Sequence, residues 1–209
     1  MSRAYDGLRE DEFNPEFLAA WSAGQTGYPM VDSCMRALKQ HSWINFRMRA
    51  MLVSFASYHL WLDWRPTAQF LAKHFLDFEP GIHYPQIQMQ SGTTGINAVR
   101  IYSPIKQVKD HDPQGVFIRR YVPELAAVPD EYLAEPHKMP LTTQRQSGCI
   151  MGKRYPHPIV EHTAAYREAQ ARMGAIRRQV ETKRQATEVY RKHGSRRRPA
   201  TSRKQNRKG

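Results

Sequence analysis

Trp43–Trp64, WINFRMRAMLVSFASYHLWLDW, is apolar on almost every helical face and carries Arg47 and Arg49 in its first half. A helix without a polar side is a buried helix, so other elements must wrap this stretch. Two arginines inside it are costly unless each meets an anion or a carboxylate. An internal salt bridge is the ordinary resolution, and a buried anionic partner is the other.

The flanking sequence also reads as helices. Phe13–Leu38 carries a Trp-containing helical pattern, interrupted by a turn at Gly24-Gln25-Thr26-Gly27-Tyr28-Pro29. Pro29 suits the first turn of the next helix, where Val31, Met35 and Leu38 recur at helical spacing. Pro66–Glu79 reads as a short helix with Phe70, Leu71 and Phe75 buried, broken at Pro80-Gly81. Ile82–Pro104 has no sustained period and reads as an ordered loop with polar groups free for a ligand. Asp112-Pro113-Gln114-Gly115 is a turn, and FIRRYVPEL (Phe117–Leu125) is a short helix stopped at Pro123. Residues 129–158, rich in Pro, His and Gly, read as extended loop, and from Pro158 to about Lys192 the pattern is helical again. With no alternating strand set, the expected fold class is all-α, a helical bundle.

Charge divides the chain of 209 residues, whose formal net charge is +13. Arg167–Gly209 holds 15 Lys and Arg against 3 Asp and Glu, so the body before it is nearly neutral. The end, GSRRRPATSRKQNRKG, has no acidic and no large apolar residue and is expected to be disordered. Such a block attracts phosphate backbones without reading sequence. The resulting division is a loose N-terminus over 1–12, a body over 13–166 and a basic helix with tail over 167–209.

Several classes are set aside. Two cysteines, Cys34 and Cys149, do not make a disulfide framework or a four-cysteine metal site. No run of about 18 apolar residues occurs, so no membrane span is expected. MSRAYDGLREDEF lacks an apolar signal core, which points to a cytoplasmic protein. P-loop, dinucleotide, zinc-protease and nucleophile-elbow motifs are absent, and the nine histidines show no ligand spacing, so no metal is expected.

Seven short motifs in order are more specific than any one of them. They are WSAGQTGYPMVDSCMRAL (Trp21–Leu38), WINFRMRAMLVSF (Trp43–Phe55), LDWR (Leu62–Arg65), FLDFE (Phe75–Glu79), SGTTGINAVRIYSP (Ser91–Pro104), DPQGVFIRRYVPEL (Asp112–Leu125) and YPHPIVEH (Tyr155–His162). Together, over roughly Phe13–Tyr166, they resemble the helical FAD-binding domain of the photolyase/cryptochrome family, in its C-terminal half. The resemblance implies FAD as cofactor and DNA containing pyrimidine dimers as partner. It implies a deoxyribodipyrimidine photo-lyase-type activity, in which light drives an electron from reduced flavin to a flipped dimer. A cryptochrome-like flavin photosensor and a helical nucleic-acid-binding remnant are the alternatives.

The resemblance also implies roles for single residues. Arg49 corresponds to an arginine that pairs with an aspartate beside the flavin, Asp77 to that aspartate, and Glu79 to a second one at the ring edge. Trp43 corresponds to a tryptophan near the cofactor pocket, and Trp64 to the middle tryptophan of the electron relay. Arg47 and Arg100 correspond to cations that face DNA phosphates. Phe46, with Asn45 before it, stands where the family has an asparagine at flavin N5, and His83 stands for another asparagine near the ring. Ile87 replaces the relay tryptophan nearest the flavin. Met89 replaces the tryptophan that packs on the dimer. The family's α/β antenna domain and first flavin-binding helices have no counterpart upstream of Phe13. A second chain supplying that N-terminal half is therefore an expected partner.

Overall fold

Caps set the helix boundaries. A computed structural model describes residues 5, 7–95, 97–179, 184 and 187. Helix α1 (Pro15–Ala23) starts where the Asn14 side chain accepts from the amides of Glu16 and Phe17, and it ends at Gly24 in the left-handed region. Helix α2 (Pro29–His41) opens on its proline. Helix α3 (Phe46–Ser54) starts at Asn45, whose Oδ1 accepts from the Met48 amide at 3.0 Å. Asp63 caps α4 (Trp64–Ala72), Ser103 caps α6 (Pro104–His111) and Glu161 caps α9 (His162–Arg178). Between these lie α5 (Pro80–Gln90), α7 (Val116–Tyr121) and α8 (Leu141–Ser147). Among the described residues there is no named strand, only an isolated bridge between Met151 and Tyr155, and the fold is all-α.

Three readings of the sequence change. The single helix expected over Trp43–Trp64 is shorter at both ends. Asn45 holds the first amides and leaves Trp43 and Ile44 outside. The C-terminal end widens into a π turn, Phe55–His59, closed by Leu60 N–H donating to Phe55 O at 3.1 Å. The chain then reverses through Trp61 at φ 51°. Second, the loop expected from Ile82 begins as helix α5, because Pro80 initiates the helix that it was read to break. Pro85 sits inside α5, and its missing N–H would have paired with the first-turn residue Gly81, which has no Cβ to crowd it. Third, 129–158 contains α8 and short 3₁₀ turns at Asp130–Tyr132 and Pro136–Lys138. The helix expected from Pro158 begins at His162 and is described to Arg178, and residues 194–209, expected to be a disordered tail, lie outside the described residues. Within the segment expected to be loose, Tyr5 and Arg9 are buried.

Helix α2 is the centre of the bundle and packs against α1, α3, α6 and α7. Val31, Met35 and Leu38 are fully buried, as their spacing predicts, and so are Met30 and Cys34 on the neighbouring faces. Trp21 of α1 donates its indole N–H to Leu52 O of α3 at 3.2 Å and meets Phe70 of α4 edge-on. The one buried carboxylate in α2, Asp32, accepts from Thr26 N (2.8 Å), Thr26 Oγ1 (2.6 Å), Gly27 N (3.1 Å) and Tyr155 Oη (2.5 Å). Burial pushes Asp32 upward in pKa, against these donors, and drives the Tyr155 phenol well above its usual range. The turn before α2 must therefore come close to residues 155–159. Gly27 permits it: with φ 78°, a Cβ there would sit 2.5 Å from the His157 carbonyl.

The π turn meets α9 through two histidines. His59 Nε2 and His162 Nδ1 are 2.9 Å apart, and their rings stack at 5.0 Å. Burial, with His162 adding to it, pulls the His59 pKa down from 6.5 to about 3, so the folded chain holds His59 neutral.

Two outcomes follow from this core. Tyr155→Phe should lower stability by about 1–3 kcal/mol by urea unfolding, because Asp32 loses a donor, and Asp32→Ala by about 3–5 kcal/mol. The unfolded chain binds a proton at His59 below 6.5 that the folded chain refuses until about 3. Stability should therefore fall as pH drops through that window. The urea midpoint of His59→Phe, compared with that of the parent at pH 7.5 and 5, should show a smaller loss.

Candidate functional site

Two helical stripes face each other across a cleft. On α3 the stripe is Phe46, Arg49, Ala50 and Val53; on α5 it is Ile82, His83, Gln86, Ile87 and Gln90. Both are the i, i+3/i+4, i+7/i+8 rows of one helix face. The loop 73–79 closes one end with Phe75, Asp77, Phe78 and Glu79. The cleft is open to solvent, and the open space within it is about 620 Å³.

Arg49 fixes the width of this cleft. Its Nε donates to Ile44 O at 2.8 Å. Its Nη1 and Nη2 donate to Asp77 Oδ1 and Oδ2 at 2.9 and 3.0 Å, a bidentate pair. Its guanidinium lies 4.2 Å from the centre of the Phe75 ring. The hydrogen bonds from Arg49 hold the Asp77 carboxyl below the usual carboxylate range. Both Asp77 oxygens are thus engaged within the protein.

Glu79 differs. It precedes α5 without capping it, and among the described residues its carboxylate has no hydrogen bond or ion pair. The carboxylate folds over Gly81, where a Cβ would stand 3.1 and 3.2 Å from its two oxygens. Asp77 therefore builds the wall, and Glu79 offers a free carboxylate at the rim. His83 is buried, with Nε2 2.9 Å from Ala68 O, so that nitrogen carries the proton. Burial lowers the His83 pKa, and the ring is neutral near pH 7. Gln86 Oε1 is buried without a partner and belongs to a residue lining the cleft. An unpaired acceptor in a cleft wall is suited to a ligand N–H or O–H.

The structure brings together Phe46, Arg49, Asp77, Glu79 and His83 of the sequence-derived set, with Ile87 beside them. Phe46 is 61% exposed on the cleft rim. Trp43 is not in this group: it stands 56% exposed on a separate groove with His41, Met48, Phe117 and Tyr121. Its place before the Asn45 cap turns it away from the α3 stripe. Trp64 is half-buried at the first turn of α4, outside the cleft lining. Arg47 and Arg100 are exposed, and Met89 is half-buried on α5. The Arg100 carbonyl accepts from Ser54 Oγ at 3.2 Å, which ties its loop to α3. The reading of the sequence missed Phe78, Ile82 and Gln86 as cleft residues. The spacing 82/86/90 carried the signal, but only on a helix, and Pro80 and Pro85 disguised that helix as loop. Among the described residues no group of three His, Cys, Asp or Glu could hold a metal ion.

Comparison with known proteins matches this architecture. A family model described as the FAD binding domain of DNA photolyase matches residues 1–175. The deoxyribodipyrimidine photo-lyase of Alkalihalophilus pseudofirmus is 36% identical over 168 residues, which is 78% of this chain and 35% of that protein. Cryptochrome-1 of Aedes aegypti is 32% identical over 78% of this chain and 31% of its own length. The crystal structure of a bacterial class III photolyase from Agrobacterium tumefaciens superposes with a TM-score of 0.77 at 31% identity, covering 85% of this chain and 37% of that one. An archaeal photolyase from Sulfolobus tokodaii, solved with two FAD molecules, gives 0.70 at 29% identity over 83% of this chain and 38% of its own. These are members of one class, helical FAD-binding domains. This chain belongs to that family, the FAD-binding domain of DNA photolyase, and spans about a third of the length of the curated relatives it matches.

The Arg49–Asp77 pair is partly exposed, so its worth to global stability is small. Asp77→Asn should cost about 1 kcal/mol or less in urea unfolding. Hydrogen exchange of residues 73–80 should nevertheless rise clearly, since the pair anchors that loop to α3.

Proposed function

We propose that this cleft holds the ring end of FAD and that the chain is the C-terminal half of a photolyase-type FAD-binding domain. The observation that carries this reading is the free Glu79 carboxylate at the rim of an apolar cleft whose width the Arg49–Asp77 lock fixes. The residues present fit a flat heteroaromatic ring with N–H donors. Phe75, Phe78, Ile82 and Ile87 give apolar walls, and Glu79 accepts from a ring N–H. Asp77 and Arg49 hold the wall, and neutral His83 fills the base beside Phe75 and Phe78. The fit is for the ring alone. Among the described residues the one cation lining the cleft, Arg49, has both Nη groups on Asp77, so in this reading a diphosphate is held by residues elsewhere. In this reading a preceding N-terminal segment, or a second chain, completes the domain. The apolar surface at Phe46, Phe78 and Ile82 is where it would close over the ring.

When bound and reduced, FAD supplies a light-excited electron donor for a pyrimidine dimer in DNA. The protein's own part is orientation and electrostatics. Arg47 and Arg100 would position phosphates, Met89 would lie against the dimer in place of an aromatic ring, and Trp64 would relay electrons toward the cofactor. Residues 13–166 form the flavin-binding body, and 167–209 extend it with positive charge. The absence, among the described residues, of a helix long and apolar enough to cross a membrane fits the proposed cytoplasmic site of action.

A specific observation favours a second reading. By the family resemblance Ile87 and Met89 stand where photolyases carry tryptophans, and Cryptochrome-1 of Aedes aegypti is among the relatives. A flavin photosensor without repair would show a light-induced spectral change with no loss of thymine dimers.

The test is titration of the full chain with FAD, read by flavin absorbance and fluorescence, followed by illumination with dimer-containing DNA. Saturable binding that weakens about tenfold in Glu79→Gln supports the ring placement, because one charge-assisted bond is lost. A chain that stays colourless at high FAD overturns it.

A further inference from the structure

Trp61 is placed under unusual constraints. It follows the π turn with φ 51°, a left-handed backbone that is strained for so large a side chain. Two guanidinium groups lie over its ring, Arg9 Cζ at 4.5 Å and Arg172 Cζ at 4.9 Å from the centroid. Their electrostatic situations differ. Arg172 is neutralised by Glu12, at 2.7 and 2.6 Å, and by Glu168 at 2.5 Å. Arg9 is 3% exposed and has no carboxylate in hydrogen-bond contact among the described residues. Its Nη2 donates to Ser91 O and Met173 Sδ, and its Nε and Nη1 have no partner. Burial lowers its pKa only to about 10, so it is a cation at neutral pH.

The buried indole N–H of Trp61 faces Glu12, whose oxygens both bond Arg172; Arg172 first, and the indole N–H after it, hold the Glu12 carboxyl below its usual range. Trp64, three residues on, has a different setting. The guanidinium over its ring, Arg65 at 5.1 Å, is paired with Glu10 at 2.6 Å and Asp63 at 3.2 Å. Its N–H is not among the buried groups that lack a partner.

One-electron oxidation of an indole creates a radical cation, which then releases its N–H proton to an acceptor. A buried cation a few ångströms away, with no carboxylate hydrogen-bonded to it among the described residues, raises the cost of the first step. We propose that Arg9 makes Trp61 a poor electron donor, so that oxidation within the Trp61–Trp64 segment settles on Trp64. This gives the relay role proposed for Trp64 a physical reason and rests on that reading only for its purpose. Arg9 acts here as a positioning residue for charge and touches no reacting ligand.

The experiment needs no flavin, so its failure is separate from failure of FAD binding. In a Trp43→Phe background, which removes the exposed indole, flash-generated ruthenium(III) tris(bipyridine) is the oxidant. Each event takes one electron from an indole to give ruthenium(II), and the indole proton passes to water. The neutral indolyl radical is read by transient absorption. Trp64→Phe should cut its yield by about tenfold and Trp61→Phe should leave it nearly unchanged. Arg9→Met added to Trp64→Phe should restore the yield, whereas Arg9→Lys, which keeps the charge, should not. Should Arg9→Met fail to fold, Arg9→Gln, which also removes the charge, should restore the yield instead. Full radical yield in Trp64→Phe at pH 7 overturns the proposal, as does a yield in that background that neither Arg9→Met nor Arg9→Gln increases.

Discussion

One side chain sets the distance between the two helices that make the site. Arg49 spends its Nε on the Ile44 carbonyl, its two Nη groups on Asp77 and its flat face on Phe75. Those contacts join the start of α3 to the loop that launches α5. The pair is too exposed to add much to global stability, so its effect is local geometry. Asp77 also leaves Glu79 as the one rim carboxylate with no partner among the described residues, and that division of labour is the basis of the proposed ligand site.

Elsewhere the molecule uses buried polar groups to fix joints between elements. Asp32 gathers the turn before α2 and Tyr155 onto one carboxylate. The His59–His162 stack joins the π turn to α9. Arg9 and Arg172 bring the N-terminal segment and α9 onto Trp61. Each joint links segments far apart in the chain. Each also places a titratable or charged group where solvent cannot relax around it, so the same groups carry the pH dependence and the electronic asymmetry of the neighbouring rings.

Much of the site was legible beforehand, in part for a physical reason. Arginines in an otherwise apolar helix demand an anion or a carboxylate, and the family resemblance, not the helix pattern, assigned Asp77 of FLDFE to Arg49. The structure pairs Arg49 with Asp77, and Arg47 points to solvent. Trp43 was not legible in the same way. Its sequence neighbourhood is that of the cleft, but the Asn45 cap decides where the helix begins and so which face Trp43 takes. Gln86 and Ile82 were hidden because prolines usually end helices, and here Pro80 begins one.

What the sequence determined by itself is the class of the fold, the burial of α2 by its spacing, and the residue types that must meet across the core, because periodicity and desolvation act on any chain with this order of side chains. Only the tertiary structure decided that, among the described residues, Asp77 is consumed while Glu79 stays free, and that Arg9 lies over Trp61 with no carboxylate hydrogen-bonded to it. Those facts depend on which distant segments share a few ångströms of space, and no local pattern encodes that distance.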